Sequence, residues 1–580
     1  MRIGIAQINT TVGDFPGNAG KIMRSIDRAR SLKVDLLVLP ELAVTGYPPE
    51  DLILRPQFIR QNRQTLNEVV GHSSGLSVVV GFVDGDCDIY NAAAVISNKK
   101  LVGVSHKSCL SKHGSFDESR YFHVGSRWPI FLLRGIGIGI TIGEDIWHEA
   151  RASIVRAYSG AGMIINISAS PYRTGRGLFR EETLAAGASE TTAVVVHSNL
   201  VGGQDEVVFD GASVIIDESG APIARGKQFD EDFIVAELEP QWVARSQFRD
   251  PVGQKDGPRR QQTSEERLII DPGGDDSHTA MPTLPPRQIE RMDDLEEVYQ
   301  ALVLGTKDYV RKNGFDKAVL GLSGGIDSSL VAAIAVDAVG PESVIGIAMP
   351  SRYSSPDSES DAAVLARNLG MRFLVIPIEQ AFSAYLETLA EHFKGTRPDV
   401  AEENIQARIR ANILFALSNK FRWLVLSCSN KSELATGYGT IYGDMAGGLV
   451  PLKDVYKTTV LELARDRNRR SGQELIPSAV LTKAPSAELR PDQRDTDTLP
   501  PYELLDAILR AYVDNGMTID QIIAMGYDAG VAMNTARLVR RAEYKRRQAA
   551  PGIMIASTGF GCDRRLPITN RFMEERYPSL

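Results

Sequence analysis

Cysteine is scarce in this chain. Cys87, Cys109, Cys428 and Cys562 are the four among 580 residues, far apart and never paired as CxxC. That spacing argues against a disulfide framework or a zinc site, and it fits a reducing, cytoplasmic setting. Long hydrophobic runs are missing too. The apolar run from Ile130 is broken by Arg134 and diluted with glycine. Nothing reaches the ~18 apolar residues of a membrane helix. The stretch MRIGIAQINTTVGDF alternates and then turns, without the apolar region of a signal peptide. No long basic run occurs and the formal net charge is −8. Nucleic acid and anionic membrane are therefore poor partners. Internal repeats are absent. What remains is a globular composition, 43% hydrophobic and 24% charged, in a chain too long for one core.

Residues 1–240 carry many short Val- and Ile-rich runs: RIGIAQI, DLLVLPE, LSVVVGFV, AAAVISN, LVGVSHK, IGIGITIG, MIINISAS and TAVVVHS. Bounded by Gly, Pro, Asn and Asp, they read as strands. Helical patterns at 18–32, 149–160 and 180–191 imply sheets covered by helices. Residues 250–288 are polar and rich in Gly and Pro, which reads as a linker or a long surface loop. Beyond Asp293 the order is strand AVLGL, helix SSLVAAIAVDAV, strand SVIGIAMP, helix DSESDAAVLARNL and strand RFLVIPI. That alternation predicts a doubly wound parallel sheet. A helix over 402–420 and a strand in WLVLSCSN follow. The expected division is an N-terminal domain over 1–248, a linker over 249–288 and a C-terminal domain over 289–580.

The stretch Leu320-Gly-Leu-Ser-Gly-Gly-Ile-Asp-Ser-Ser329 is the most informative. A buried strand ends, small residues follow, and a helix begins. Ser323, Gly324 and Gly325 leave backbone N–H groups uncovered at a helix N-terminus, a cradle for phosphate. Asp327 would repel phosphate unless a cation stood between them, so it reads as a Mg²⁺ ligand. No Gly-Lys-Ser/Thr follows, which excludes a Walker loop. A glycine turn with a capping serine is the bland alternative.

SGGxDS resembles the pyrophosphate loop of the N-type ATP pyrophosphatases, which split ATP into AMP and pyrophosphate. ENIQARIRANILFALSNK (403–420), SNKSELATGYGTIYGDMAGGLVPLKDVYK (429–457), APSAELRPDQRDTDTLPPYELLDAIL (484–509) and AEYKRRQAAPG (542–552) resemble NAD synthetases. The resemblance implies a doubly wound adenine-nucleotide α-hydrolase-like domain. It also implies that deamido-NAD attacks ATP through its nicotinate carboxylate and that ammonia then displaces AMP. By that resemblance Gly321, Leu322, Ser323, Gly324, Gly325, Ile326, Asp327 and Ser328 hold ATP. Cys428, where the family usually has threonine, Lys457 and Ser486 approach it as well. Asn404, Glu433, Asp444 and Lys545 lie on the deamido-NAD side, and Asp327 and Glu433 bind Mg²⁺.

RIGIAQINTTVGDFPGN, LPELAVTGYPPEDL, FDESRYF, NISASPY and NLVGGQDEVVFDGAS resemble the nitrilase fold of glutamine-dependent NAD synthetases. The resemblance implies an αββα sandwich that hydrolyses glutamine and sends ammonia onward. That chemistry uses a Glu–Lys–Cys triad. Glu41 matches the general base and Lys107 the oxyanion-stabilising lysine. The segment usually reading ICEDIW reads IGEDIW here, so Gly143 stands at the nucleophile position. Losing the nucleophile of a triad typically costs on the order of 10⁶ in turnover. His113, in place of a tyrosine, Glu144, Ser170 and Arg176 match the glutamine pocket.

The expectation is thus an NAD synthetase using free ammonia or a partner glutaminase's ammonia, with a silent N-terminal domain and homo-oligomeric assembly. Two alternatives stand beside it. One is a glutamine-dependent enzyme whose nucleophile has been removed by substitution; the other is a non-catalytic scaffold.

Overall fold

Strands and helices alternate along the chain in a computed structural model. It describes residues 1–85, 88–111, 116–147, 158, 161–238, 267–271, 282–284, 287, 289–561 and 563–572. His113, the helical pattern at 149–160 except Tyr158, and most of 249–288 lie outside the described residues. The chain forms two compact units, residues 1–204 with 208–292, and residues 205–207 with 293–580.

The first unit is built from two mixed sheets. One orders its strands Asp232–Glu237, Arg2–Gln7, Leu36–Val38, Ser77–Asp84, Tyr90–Ser97 and Lys100–His106. The other runs Pro222–Arg225, Val214–Ile216, Val194–Asn199, Met163–Ser168, Ile136–Ile142, Ile130–Leu133 and Arg267–Ile270. Ile3, Ile5, Val38, Val79 and Val95 of the first sheet pack into one core with Phe131, Ile140, Ile165 and Val196 of the second. The outer faces are covered by helices. Leu184 and Ala188 of helix Arg176–Thr191 pack on Val195, Val214 and Ile216. Burial from both sides explains why these strands read as continuous apolar runs instead of alternating. The result is the expected αββα sandwich. Within the stretch read as a linker, Arg267–Ile270 pairs in parallel with Ile130–Leu133 at the sheet edge. RLII therefore belongs to the sandwich.

The second unit holds a parallel four-stranded sheet, ordered Arg372–Val375, Val344–Ala348, Ala318–Gly321 and Leu424–Leu426. The chain winds one way through the first three strands and then returns to the far side of Ala318–Gly321. That reversal opens a crevice beyond the carboxyl end of this strand, the usual ligand position in such sheets. Phe382, Ile409 and Leu414 cover one face. A separate helical core gathers Leu505, Leu509, Ile522, Ala536 and Val539. No helix among the described residues is long and apolar enough to cross a membrane.

Candidate functional site

Each unit carries a cluster of buried, mutually paired charges. In the first, strand Ile136–Ile142 runs directly into a single helical turn, Gly143–Ile146. Gly143 has φ +49°, a left-handed conformation that costs a residue with a Cβ roughly 1 kcal/mol or more. A Cβ there would lie 2.6 Å from Lys107 Nζ and 2.9 Å from Glu41 Oε2. Position 143 therefore faces straight into the charges. Lys107 Nζ donates to Glu41 Oε1 at 2.8 Å and pairs with Glu118 Oε2 at 2.8 Å, and all three side chains are 2–3% exposed. Asn91 donates to Glu41 at 2.6 Å and to Glu118 at 3.1 Å, and the Ala169 N–H donates to Glu41 Oε2 at 2.9 Å. Tyr47 donates its hydroxyl to Glu118 at 3.3 Å.

The electrostatics follow from two carboxylates sharing one ammonium. Burial pulls the Lys107 amine down, but Glu118 and Glu41 outweigh it and hold the amine above its ordinary range. Burial lifts the Glu41 carboxyl, opposed by Lys107 and reinforced by Glu118. A raised carboxyl suits a general base and a fixed cation suits an oxyanion. The turn itself is stapled by Asp145. Its Oδ1 accepts from Ser108 and Cys109 N–H at 2.9 and 2.6 Å, and its Oδ2 accepts from Ile142 N–H at 3.0 Å. Burial pushes Asp145 up to about 7 against those bonds and against Lys107. Asn166 donates to Gly143 O at 3.3 Å. The cluster can hold and polarise a water, but glycine brings no side chain to attack an amide.

Of the residues assigned to this site, Glu41, Lys107 and Gly143 are brought together. Glu144 lies partly exposed in the turn after Gly143. The Ser170 N–H donates to Asn199 Oδ1 at 2.9 Å. Arg176 opens its helix and is exposed. The sequence reading missed Glu118, Asn91 and Tyr47. Glu118 sits in FDESRYF beside Asp117, and nothing in composition separates the two. The fold does so, turning Glu118 inward to Lys107 while leaving Asp117 exposed.

In the second unit, strand Ala318–Gly321 leads through Leu322–Gly325 into helix Ile326–Val339. Gly324 has φ +71°, and a Cβ there would lie 2.4 Å from Ser358 O, so no other residue fits without displacing backbone. The serine hydroxyls shape the loop. Ser323 accepts from Gly325 N–H at 3.2 Å, and Ser328 donates to Gly325 O at 3.0 Å. The first-turn N–H groups of the helix have no intrahelical partners and form an anion cradle. Leu322 closes the strand end, its N–H donating to Ile347 O at 2.9 Å.

Asp327, in that first turn, forms a close ion pair with Lys457 and accepts from Asn430 Nδ2 at 3.0 Å. Asn430 caps helix Lys431–Thr436 in a capping box with Glu433. The box sets Glu433 Oε1 3.7 Å from Lys457 Nζ. Burial and Asp327 lift Glu433 well above its ordinary range, with Lys457 opposing. Burial, Asp327 and Glu433 push up the Cys428 thiol, which stays a protonated, poor nucleophile. Two carboxylates against one ammonium suit Mg²⁺, which takes its other ligands from phosphate and water. Among the described residues no group of three or more His, Cys, Asp or Glu forms a self-sufficient metal site.

Asn404, Asp444 and Lys545 meet on the loop 437–444. Thr440 donates its hydroxyl to Asn404 at 2.6 Å and its N–H to Asp444 at 2.8 Å. Lys545 donates to Gly437 O and Gly439 O at 2.8 and 2.7 Å. Ser486 is exposed and donates to Gln493 O at 2.6 Å, serving its own turn. Asn430 was missed, because its contact with Asp327 spans 103 residues of chain.

Comparison with known proteins bears on both clusters. Residues 2–247 match the carbon-nitrogen hydrolase family and residues 298–549 match the NAD synthase family. The glutamine-dependent NAD(+) synthetase of Thermotoga maritima is 46% identical over 581 aligned residues, covering 99% of each chain. That of Aquifex aeolicus is 44% identical, covering 99% of this chain and 100% of its own. The structure of glutamine-dependent NAD+ synthetase from Acinetobacter baumannii in complex with ADP aligns with a TM-score of 0.73 at 37% identity, over 98% of each chain. This chain belongs to the family of glutamine-dependent NAD(+) synthetases, carbon-nitrogen ligases that join a nitrilase-like domain to an NAD synthase domain.

Proposed function

We propose that this chain converts deamido-NAD to NAD with ATP and ammonia, and that its nitrilase-like unit does not release that ammonia from glutamine. The observation that carries the second clause is the glycine at 143. It stands where a nucleophile would meet both Glu41 and Lys107. Covalent amide hydrolysis needs an attacking side chain there, and glycine has none.

In the synthetase unit, Gly321 to Ser328 would cradle the ATP phosphates. Lys457, held charged by Asp327 and Glu433, would exchange part of that pairing for phosphate oxygen. Asp327 and Glu433 would hold Mg²⁺, which neutralises phosphate charge when bound. Asn404, Asp444 and Lys545 would orient deamido-NAD so that its carboxylate oxygen meets the α-phosphorus. The new P–O bond forms as the bond to pyrophosphate breaks. Ammonia then attacks the acyl carbon, AMP leaves with the former carboxylate oxygen, and a proton is lost. Cys428 would border the nucleotide. Ammonia would come from solution or from a separate glutaminase.

A second reading is favoured by what persists around Gly143. Glu41, Lys107, Glu144, Ser170 and Arg176 remain, and the related enzymes named above are glutamine-dependent. On that reading, a glutamine-using enzyme has lost only its nucleophile, and glutamine still binds. The experiment supplies deamido-NAD, ATP and Mg²⁺ with either ammonium or glutamine. NAD formed with ammonium alone supports the proposal. Calorimetric titration with glutamine then separates an emptied pocket from an intact one.

A further inference from the structure

The helix Pro356–Asn368 starts against the phosphate loop, because the Cβ direction of Gly324 points into Ser358 O at 2.4 Å. A carboxylate from a distant part of the same unit fills its first turn. Glu488 Oε2 accepts from the Ser355 N–H at 3.1 Å. Glu488 Oε1 accepts from the Ser358 hydroxyl at 2.7 Å, the Ser355 hydroxyl at 3.3 Å and the Lys483 ammonium at 3.0 Å. Lys483 also reaches the Ser358 hydroxyl. Glu488 has φ +50°, a left-handed backbone that persists only where surrounding contacts over-determine it. Burial draws its carboxyl up, but the bonds from Ser358 and Lys483 outweigh this and hold it below its ordinary range.

The strap from Lys483 to Arg494 is tied on its other side as well. Gln406, 1% exposed, donates to Leu489 O at 2.9 Å and accepts from the Ser351 hydroxyl at 2.9 Å. Arg490 pairs with Glu403 at 3.3 Å. Gln406 and Glu403 belong to helix Val400–Phe421, which also carries Asn404. One exposed segment thus spans from the wall of the phosphate loop to the helix of Asn404. At the phosphate-loop end the strap is clamped by Glu488 with Lys483, and the Arg410 guanidinium also acts on Glu488.

We infer that Glu488 is a positioning residue for the ATP-dependent step: its carboxylate clamps the 483–494 strap to the first turn of helix Pro356–Asn368 and so fixes the wall against which Gly324 packs. This rests on the synthetase reading above. Ammonia enters after adenylation, so the clamp affects ATP use and not the affinity for ammonia.

Glu488→Gln keeps the size, removes the charge and turns an amide N–H₂ towards donors. The expected result is a KM for ATP raised about 10-fold, with KM for ammonia unchanged within about twofold and the melting temperature held. Lys483→Gln should do the same, and the double variant should be no worse than the poorer single one, as coupled partners require. Trypsin should cut after Arg494 faster in Glu488→Gln than in the parent. Unchanged KM for ATP with an unchanged cleavage rate overturns the inference. So does a loss confined to kcat and accompanied by a lower melting temperature, which marks a structural role. If the parent makes no NAD with saturating ammonia, the synthetase reading fails by itself. The clamp is then decided by cleavage alone: faster cutting in the variant supports it and equal cutting overturns it.

Discussion

A cysteine at position 143 would have to share its space with Lys107. The Cβ site is 2.6 Å from Nζ, so the amine must retreat by about 1 Å to reach an ordinary contact of ~3.5 Å. Both obstructing groups, Lys107 Nζ and Glu41 Oε2, are ends of flexible side chains, so the retreat is feasible. Gly143→Cys should therefore fold, lose roughly 1–3 kcal/mol of stability to the left-handed backbone, and begin to release glutamate from glutamine. A folded variant that neither binds nor hydrolyses glutamine would show that the pocket has changed beyond one residue. Asp145 gives a second test nearby. Its folded pKa, about 7, lies above the ordinary 3.8. The stability it contributes is fully present below about pH 4 and is lost as pH rises through 7. Calorimetry of the parent against Asp145→Asn should show the parent losing ground between pH 4 and 7, then a constant difference. A difference that grows in the parent's favour over that range contradicts the assignment. Glu41, Lys107 and Gly143 were legible because each sits in a recognisable local segment. Glu118 and Asn91 were not, because only the folded chain shows which acid or amide turns inward.

Strands and turns tell a similar story. The runs AVLGL, SVIGIAMP and IGIGITIG mark the strands at 318–321, 344–348 and 136–142, since burial on both faces demands continuous apolar residues. RLII at 267–270 was not legible. Four residues inside a polar segment carry no periodic signal, and their pairing with Ile130–Leu133 is a tertiary fact. The strand–turn–helix at 318–339 was legible in composition but not in its constraint. Gly324 is required by the backbone of Ser358, more than 30 residues on in sequence. Gly324→Ala should weaken ATP binding at least about 10-fold by calorimetric titration, because a carbonyl on a packed helix cannot move aside as a side chain can. Unaltered ATP affinity would contradict so close a fit between Gly324 and Ser358.

Across the full chain, the charges divide by task. Asp327, Glu433 and Lys457 form one cluster of paired charges, proposed above to take phosphate and a divalent cation, and Glu41, Lys107 and Glu118 form the other, beside Gly143. Asp327→Asn should cut ammonia-dependent NAD formation by about 10²-fold or more, with the melting temperature unchanged. A loss accompanied by a matching fall in melting temperature would mean general unfolding instead of a local role. The nitrogen donor decides between the readings most directly. Deamido-NAD, ATP and Mg²⁺ are supplied with ammonium chloride in one reaction and with glutamine in ammonia-free buffer in the other, and NAD is followed in both. Steady NAD formation with ammonium and none with glutamine is the predicted result; turnover with glutamine alone would contradict it.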